Sequence, residues 1–209
     1  MQNIIDDKTL DVSQGIIHHS EGVDLLPSNI EMSGFEVRLI NAMSRERVLK
    51  TYVNEVKKNY DYVLIDCMPS LGMITINALA AADSVIIPTQ PHYLSAKGLE
   101  LLLRSVSMVK RQINPKLRID GILMTMVMPR TNISKEITAT VKSAYGQKIK
   151  VFDTEIPHSI RAVEATAEGK SIFAYDKSGK VAAAYEQFGK EVEEIGEKQR
   201  NQNRADRIR

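Results

Sequence analysis

Residues 60–72, YDYVLIDCMPSLG, constrain the fold of this 209-residue chain more than any other stretch. Residues 62–65 form an unbroken run of one tyrosine and three branched aliphatic side chains. Such a run is typical of a strand buried on both faces, as in a parallel sheet covered by helices. The run ends at Asp66, and Pro69 then prevents further strand pairing. The stretch therefore predicts an α/β fold with a carboxylate at the end of a central strand.

Two roles fit Asp66. Ligands of open α/β sheets bind beyond the carboxyl ends of the strands. A carboxylate there can hold Mg²⁺, usually through water, because this small hard cation takes oxygen ligands. This is the Walker B arrangement of P-loop nucleotidases. In the alternative role, Asp66 only caps the helix that begins near Gly72. The hydrophobic run and the acid alone favour neither role, because such runs are common.

Strands and helices alternate along the rest of the chain. Apolar runs predict strands over residues 23–26, 84–87, 119–126 and 150–154. Apolar spacings of three and four predict helices over residues 33–58 (one helix or two), 73–82, 96–113, 132–145, 159–168 and 179–194. This alternation predicts a three-layer α/β fold, with a mainly parallel sheet and helices on both faces. We expect a single domain over residues 1–196 and a polar basic tail over residues 197–209.

Particular residues are predicted to bound these elements. Ser44 is expected to cap the second helix within residues 33–58, and Asn132 or Ser134 to cap the helix that ends at Gly146. Pro88 is expected to stop the strand over residues 84–87.

Residues 60–90 closely resemble the ParA/Soj family of partition ATPases. The resemblance continues through five further segments and two upstream ones. They are Gly121-Ile122-Leu123-Met124-Thr125-Met126, Arg130-Thr131-Asn132, Ile156-Pro157, Arg161, Glu164-Ala165, Leu25-Leu26-Pro27-Ser28-Asn29 and Ser44-Arg45-Glu46. The resemblance covers roughly residues 23–189, and the combination of segments is specific although each one is weak. The resemblance implies a P-loop NTPase-like fold.

One family feature is missing from these 209 residues. The family opens with a lysine-rich P-loop, K-G-G-x-x-K-T, but this sequence has no adjacent glycines and no Gly-Lys followed by Thr. Gly169-Lys170-Ser171 comes closest, but it lacks the upstream glycine and lies far beyond Asp66. The family's second strand, with its D-x-D-P-Q segment, is also missing. The sequence therefore resembles an N-terminally incomplete ParA-type chain, which we expect to fold poorly or to form mixed oligomers on its own.

The resemblance also implies a nucleotide site. Asp66 would anchor the water shell of Mg²⁺, and the loop containing Pro69 would sense the γ-phosphate of ATP. Thr125 and Pro157 would lie near the nucleotide base, in contacts made largely by the backbone. Phosphate chemistry needs a loop of amide donors and a lysine around the phosphates. Because that loop is missing, we expect weak nucleotide binding, if any, and no ATP hydrolysis by this chain alone.

A second implied site is a surface that binds DNA without sequence preference. Arg130 and Arg161 would form it, because guanidinium groups pair with phosphate oxygens and read no base. Lys177 and Lys180, together with Lys170, are candidates to extend this surface; in the alternative they are simply solvated. The alternative is a surface ion pair, for example between Arg161 and either Glu164 or Glu168 at helical spacing.

Composition excludes several classes of protein. With 43% hydrophobic and 26% charged residues, the chain is ordinary globular material, and its net charge of +2 does not by itself indicate a nucleic-acid partner. Its one cysteine, Cys67, excludes an internal disulfide, and we expect it to pack as a small buried hydrophobe. Without a signal peptide or an apolar run of membrane-spanning length, the protein is expected to be cytoplasmic. The tail lacks the apolar face of a membrane-targeting helix.

Three functions remain open. The first is a ParA/Soj-type partition ATPase, which in its complete form dimerises around ATP, associates with the nucleoid through non-specific DNA binding, and is released by a ParB-like centromere-binding protein. The second is a non-catalytic protein that keeps the DNA or partner surface. The third is another deviant P-loop enzyme, such as a small-molecule ligase or a reductase. The single cysteine disfavours an iron–sulfur reductase, and the segments beginning at Ser44 and Arg130 favour a partition protein over a ligase.

Overall fold

The computed structural model describes residues 13, 15–28, 32–39, 42–68, 70 and 72–207. The chain forms two compact units. The first unit contains Met1–Asp83 and Arg104–Leu117, and the second contains Ser84–Leu103 and Arg118–Arg209. The single domain expected over residues 1–196 stays a prediction.

Five strands and eight α-helices lie within the described residues. The strands are β1 (Ile17–His18), β2 (Asp24–Leu25), β3 (Ser84–Thr89), β4 (Arg118–Val127) and β5 (Val151–Pro157). The helices are α1 (Met32–Leu39), α2 (Val48–Val56), α3 (Met73–Ala81), α4 (Tyr93–Gln112), α5 (Asn132–Tyr145), α6 (Ile160–Ala167), α7 (Ile172–Tyr175) and α8 (Lys180–Arg207). A short 3₁₀-helix, Lys57–Asn59, follows α2.

The second unit contains a parallel sheet in the order β3–β4–β5. Side chains alternate across β4, so Ile122 and Met124 pack on one face together with Leu99 of α4 and Val141 of α5. On the other face, Leu123 packs with residues that lie on β5 and α8. These are Phe152, Ile156 and Val181. Helices therefore cover both faces, and the predicted three-layer α/β fold is confirmed.

A buried carboxylate joins α8 to β5. Glu191 is 8% exposed, and its oxygens accept hydrogen bonds from the backbone N–H groups of Asp153 (3.1 Å) and Thr154 (2.9 Å) and from the Thr154 hydroxyl (2.5 Å). Lys150 Nζ lies 3.5 Å from Glu191 Oε2. These bonds fix the helix against β5 and give an acceptor to two of its backbone N–H groups.

Helix α8 continues beyond residue 197, where the sequence predicts the start of the tail. Gln199 accepts a hydrogen bond from Arg118 Nη2 (2.6 Å) and donates one to Asp120 Oδ1 (3.1 Å). The first part of the predicted tail is therefore a helix end that packs against the start of β4.

Buried amide side chains join separate segments of the first unit. Asn77 is fully buried, and its side chain accepts a hydrogen bond from Leu49 N–H (3.1 Å) and donates one to Arg45 O (2.7 Å). Asn114 donates to the carbonyl oxygens of Leu79 (3.0 Å) and Ala82 (2.8 Å). The region predicted as one helix or two contains two, α1 and α2.

The predicted central strand at residues 62–65 is wrong. These residues have no regular secondary structure and pair with no strand in the described part of the chain. The side chains of Tyr62, Val63 and Leu64 are 52%, 39% and 91% exposed. An apolar strand is buried when neighbouring strands pair with it and helices cover its faces, and no described strand pairs with residues 62–65. Cys67 is also exposed, contrary to prediction.

Other boundaries differ from prediction by a few residues. Helix α2 begins after Arg47, so Ser44, at φ +51°, does not cap it. Helix α5 begins after Thr131 instead of being capped by Asn132 or Ser134, and Gly146 ends it as predicted. Strand β3 continues through Pro88 because an edge strand tolerates a residue without an N–H.

Gly121 allows β4 to approach β5 closely. A Cβ at this position would lie 2.7 Å from a Phe152 ring carbon and 2.9 Å from the Lys150 carbonyl oxygen. We expect Gly121→Ala to lower the free energy of unfolding by about 1–3 kcal/mol in urea denaturation, because the strand backbone would have to shift. A matched control is Gly189→Ala in α8, whose methyl would meet nothing within 4 Å. Unchanged stability of Gly121→Ala would contradict this packing.

Candidate functional site

The carboxyl ends of β4 and β5 bring two predicted nucleotide-site residues to one edge of the sheet. Val127 is in register with Pro157, and His158 N–H donates to Val127 O (3.0 Å). Thr125 lies two residues before Val127, near the end of β4. The two segments predicted to contact a base are therefore adjacent.

Met126 has an unusual backbone at this edge. Its φ of +53° is left-handed, and its side chain is 49% exposed. The β4–β5 register also shifts between Met124 and Val127. A non-glycine residue in this conformation costs about 1–3 kcal/mol, and such residues cluster at functional sites. Nothing in the sequence indicated it.

Arg130 lies in the turn between β4 and α5, three residues after Val127. Its side chain is exposed, and it forms no ion pair with any residue that the structure describes. The guanidinium group can therefore meet a ligand from solvent.

Arg161 follows the neighbouring strand, at the second position of α6. Its side chain is 65% exposed, and its Nη1 lies 3.8 Å from Glu164 Oε2. Its guanidinium carbon lies 6.0 Å from the centre of the Tyr175 ring. Of the two predicted ion pairs of Arg161, the one with Glu164 forms, whereas Glu168 pairs with Lys170 at 2.7 Å.

The predicted lysines lie on both sides of α7: Lys170 precedes it, Lys177 follows it, and Lys180 is the first residue of α8. Lys177 and Lys180 are exposed and form no ion pair within the described ranges. The hydrogen bond to the Glu168 carboxylate raises the pKa of Lys170 above its ordinary value. The contact between Tyr175 and Glu164, in contrast, has no signal in the sequence. Tyr175 lies too far from α6 along the chain for helical spacing to reveal it.

Asp66 belongs to the first unit. It is exposed, and it has no hydrogen bond or ion pair with another described residue. Mg²⁺ in nucleotide sites takes one or two carboxylates, several waters and phosphate oxygens, so Asp66 fits the carboxylate share of such a site. No group of three or more metal-binding side chains occurs in the part of the chain that the structure describes. Pro69 lies outside the described residues.

The described helices include none that is long and apolar enough to cross a bilayer.

Comparisons with known proteins identify the family. The sequence profile of a family described as an AAA domain matches residues 1–119. The sporulation initiation inhibitor protein Soj of Bacillus subtilis is 43% identical over 172 residues, which cover 82% of this chain and 67% of Soj. The chain belongs to the ParA/Soj family of partition ATPases.

A second partition protein agrees with this assignment, and a solved synthase structure is similar in fold. The chromosome partitioning protein ParA of Myxococcus xanthus is 38% identical over 181 residues, which cover 86% of this chain and 63% of that protein. The crystal structure of cobyrinic acid a,c-diamide synthase from Mycobacterium smegmatis with bound ADP and magnesium has a TM-score of 0.69 at 30% identity. The match covers 81% of this chain and 73% of the synthase. This chain spans about two thirds of the length of the curated relatives it matches, and slightly less for some.

Proposed function

We propose that this ParA/Soj-family chain binds duplex DNA without sequence preference, through a surface that contains Arg130, Arg161, Lys177 and Lys180. One observation carries the proposal. The register pair Val127–Pro157 places the segments with the two arginines, three and four residues further on, at the same edge of the sheet. We name this set of four cations the arginine edge.

The chemistry of the arginine edge suits a phosphate backbone. All four side chains are exposed, and two of them are guanidinium groups that can each donate two parallel hydrogen bonds to phosphate oxygens. Contacts of this kind position a protein on DNA but carry no base information. They also release counterions, so binding must weaken as salt increases. The test is therefore binding to duplexes of unrelated sequence at increasing salt.

The nucleotide and partner functions of the complete family member are a further part of the proposal. Asp66 would hold Mg²⁺ through water, the loop at Pro69 would face the γ-phosphate, and Thr125 and Pro157 would flank the base. A bound Mg²⁺ would neutralise charge on the phosphates. The complete form would be a homodimer that acts at the nucleoid with a ParB-like partner. The 209 residues contain no P-loop pattern.

We expect the purified 209-residue chain to show no saturable binding of a fluorescent ATP analogue in the presence of Mg²⁺. The reason is that Asp66 alone provides neither the amide donors nor the lysine that hold the phosphates. An Asp66→Ala variant serves as the control and should give the same flat titration. Saturable binding that is lost in Asp66→Ala would show that another phosphate cradle exists in these residues.

A further inference from the structure

We propose that Glu164 competes with DNA phosphate for Arg161 and thereby lowers the affinity of the arginine edge for DNA. This role of Glu164 rests on the proposed function of Arg161. Glu164 would regulate the same DNA-binding surface.

Three side chains of α6 and α7 form one cluster around a single oxygen. Glu164 Oε2 lies 3.8 Å from Arg161 Nη1 and accepts a hydrogen bond from the Tyr175 hydroxyl at 3.1 Å. The Tyr175 ring also lies beneath the Arg161 guanidinium, 6.0 Å from its central carbon. Tyr175 therefore contacts both members of the ion pair and holds the carboxylate beside the arginine.

The ion pair is exposed and loose enough for a phosphate to displace the carboxylate. The side chains of Arg161 and Glu164 are 65% and 46% exposed, and 3.8 Å exceeds the 2.7–2.9 Å of a direct charge-assisted hydrogen bond. An approaching phosphate meets a carboxylate of the same charge and must also separate it from the guanidinium. Both effects oppose DNA binding at Arg161. Arg130 has no acidic partner among the described residues, so no such competition acts there.

Removing the Glu164 charge should therefore strengthen DNA binding. We expect Glu164→Gln to tighten binding to a labelled random-sequence duplex about threefold to fivefold at low salt, because an exposed pair of this kind is weak. The gain should decrease as salt screens the carboxylate. Tyr175→Phe, which releases the carboxylate but keeps the ring, should tighten binding by a smaller factor. Fluorescence anisotropy measures all of these affinities.

The decisive comparison is a double-mutant cycle. In an Arg161→Ala background, Glu164→Gln should no longer tighten binding, because its effect acts through Arg161. A matched control is Glu186→Gln on α8, which removes the same charge from an exposed pair with Lys190. It should change the affinity less than Glu164→Gln does.

Two results would overturn this role, and they can be told apart. In the first, Glu164→Gln tightens DNA binding equally with and without Arg161, and Glu186→Gln tightens it by the same factor. That result would show an effect of net charge only and would leave the proposed DNA surface intact. In the second, Arg161→Ala does not change the affinity for DNA. Arg161 would then not belong to the DNA-binding surface, and Glu164 could not compete with phosphate for it.

Discussion

Replacing Arg130 and Arg161 together by alanine is expected to weaken binding to duplex DNA about tenfold or more at low salt. Each guanidinium is exposed at the edge formed by β4 and β5, and each can neutralise one phosphate. Loss of two phosphate contacts should also make the slope of log K against log salt shallower by roughly 1.8, because each contact contributes about 0.9. The loss should be similar for duplexes of unrelated sequence.

A charge-matched double variant at the opposite edge of the sheet controls for net charge. Lys116 and Lys148 are exposed and precede β4 and β5 by two and three residues, so they lie near the amino ends of these strands. Lys116→Ala with Lys148→Ala removes the same charge and should weaken binding about twofold at most. Equal losses in the two double variants would mean that the arginine edge has no special part in binding.

The second large effect is on stability. We expect Glu191→Ala to lower the free energy of unfolding by about 3 kcal/mol in urea denaturation. The substitution leaves the N–H groups of Asp153 and Thr154 and the Thr154 hydroxyl without the acceptor they share. Glu194→Ala, an exposed site on the same helix, should change stability by less than about 0.5 kcal/mol. Equal effects of the two substitutions would contradict the role of Glu191.

The stabilisation by Glu191 should depend on pH. Burial alone would raise the pKa of Glu191. Hydrogen bonds from Thr154 and Asp153, together with the nearby Lys150, outweigh burial and hold this pKa below its ordinary value of 4.5. Because the folded-state pKa is lower than the unfolded one, the charged carboxylate stabilises the fold fully above about pH 4.5, and this contribution is lost as pH falls through the folded-state pKa. The stability difference between wild type and Glu191→Gln should therefore shrink in acid. A constant difference would show that the charge is unimportant.

The strands and most of the long helices of the second unit follow from local sequence pattern. Strand β4 is apolar at consecutive positions because both of its faces are covered, and α5 and α8 show apolar residues at helical spacing because each covers one face. Residues 62–65 have the same kind of apolar run but are exposed. A run of this kind shows that a segment is suited to burial, but it contains no information about whether a neighbouring strand is present to bury it.

The candidate site also contains some features that the sequence predicts and others that it does not. Arg130 and Arg161 were found through motif resemblance, and helical spacing pointed to the Arg161–Glu164 pair. The left-handed backbone of Met126 and the Tyr175 contact depend on how β4 meets β5 and how α6 meets α7. Such contacts join residues from different elements, and no local pattern specifies them.

Binding of the 209-residue chain to duplex DNA over a range of salt concentrations tests the central claim most directly. We predict dissociation constants of roughly 10⁻⁴ to 10⁻⁶ M near physiological salt, equal for unrelated sequences, with log K falling linearly against log salt. Absence of binding even at low salt, or a strong preference for one sequence, would contradict the proposed function.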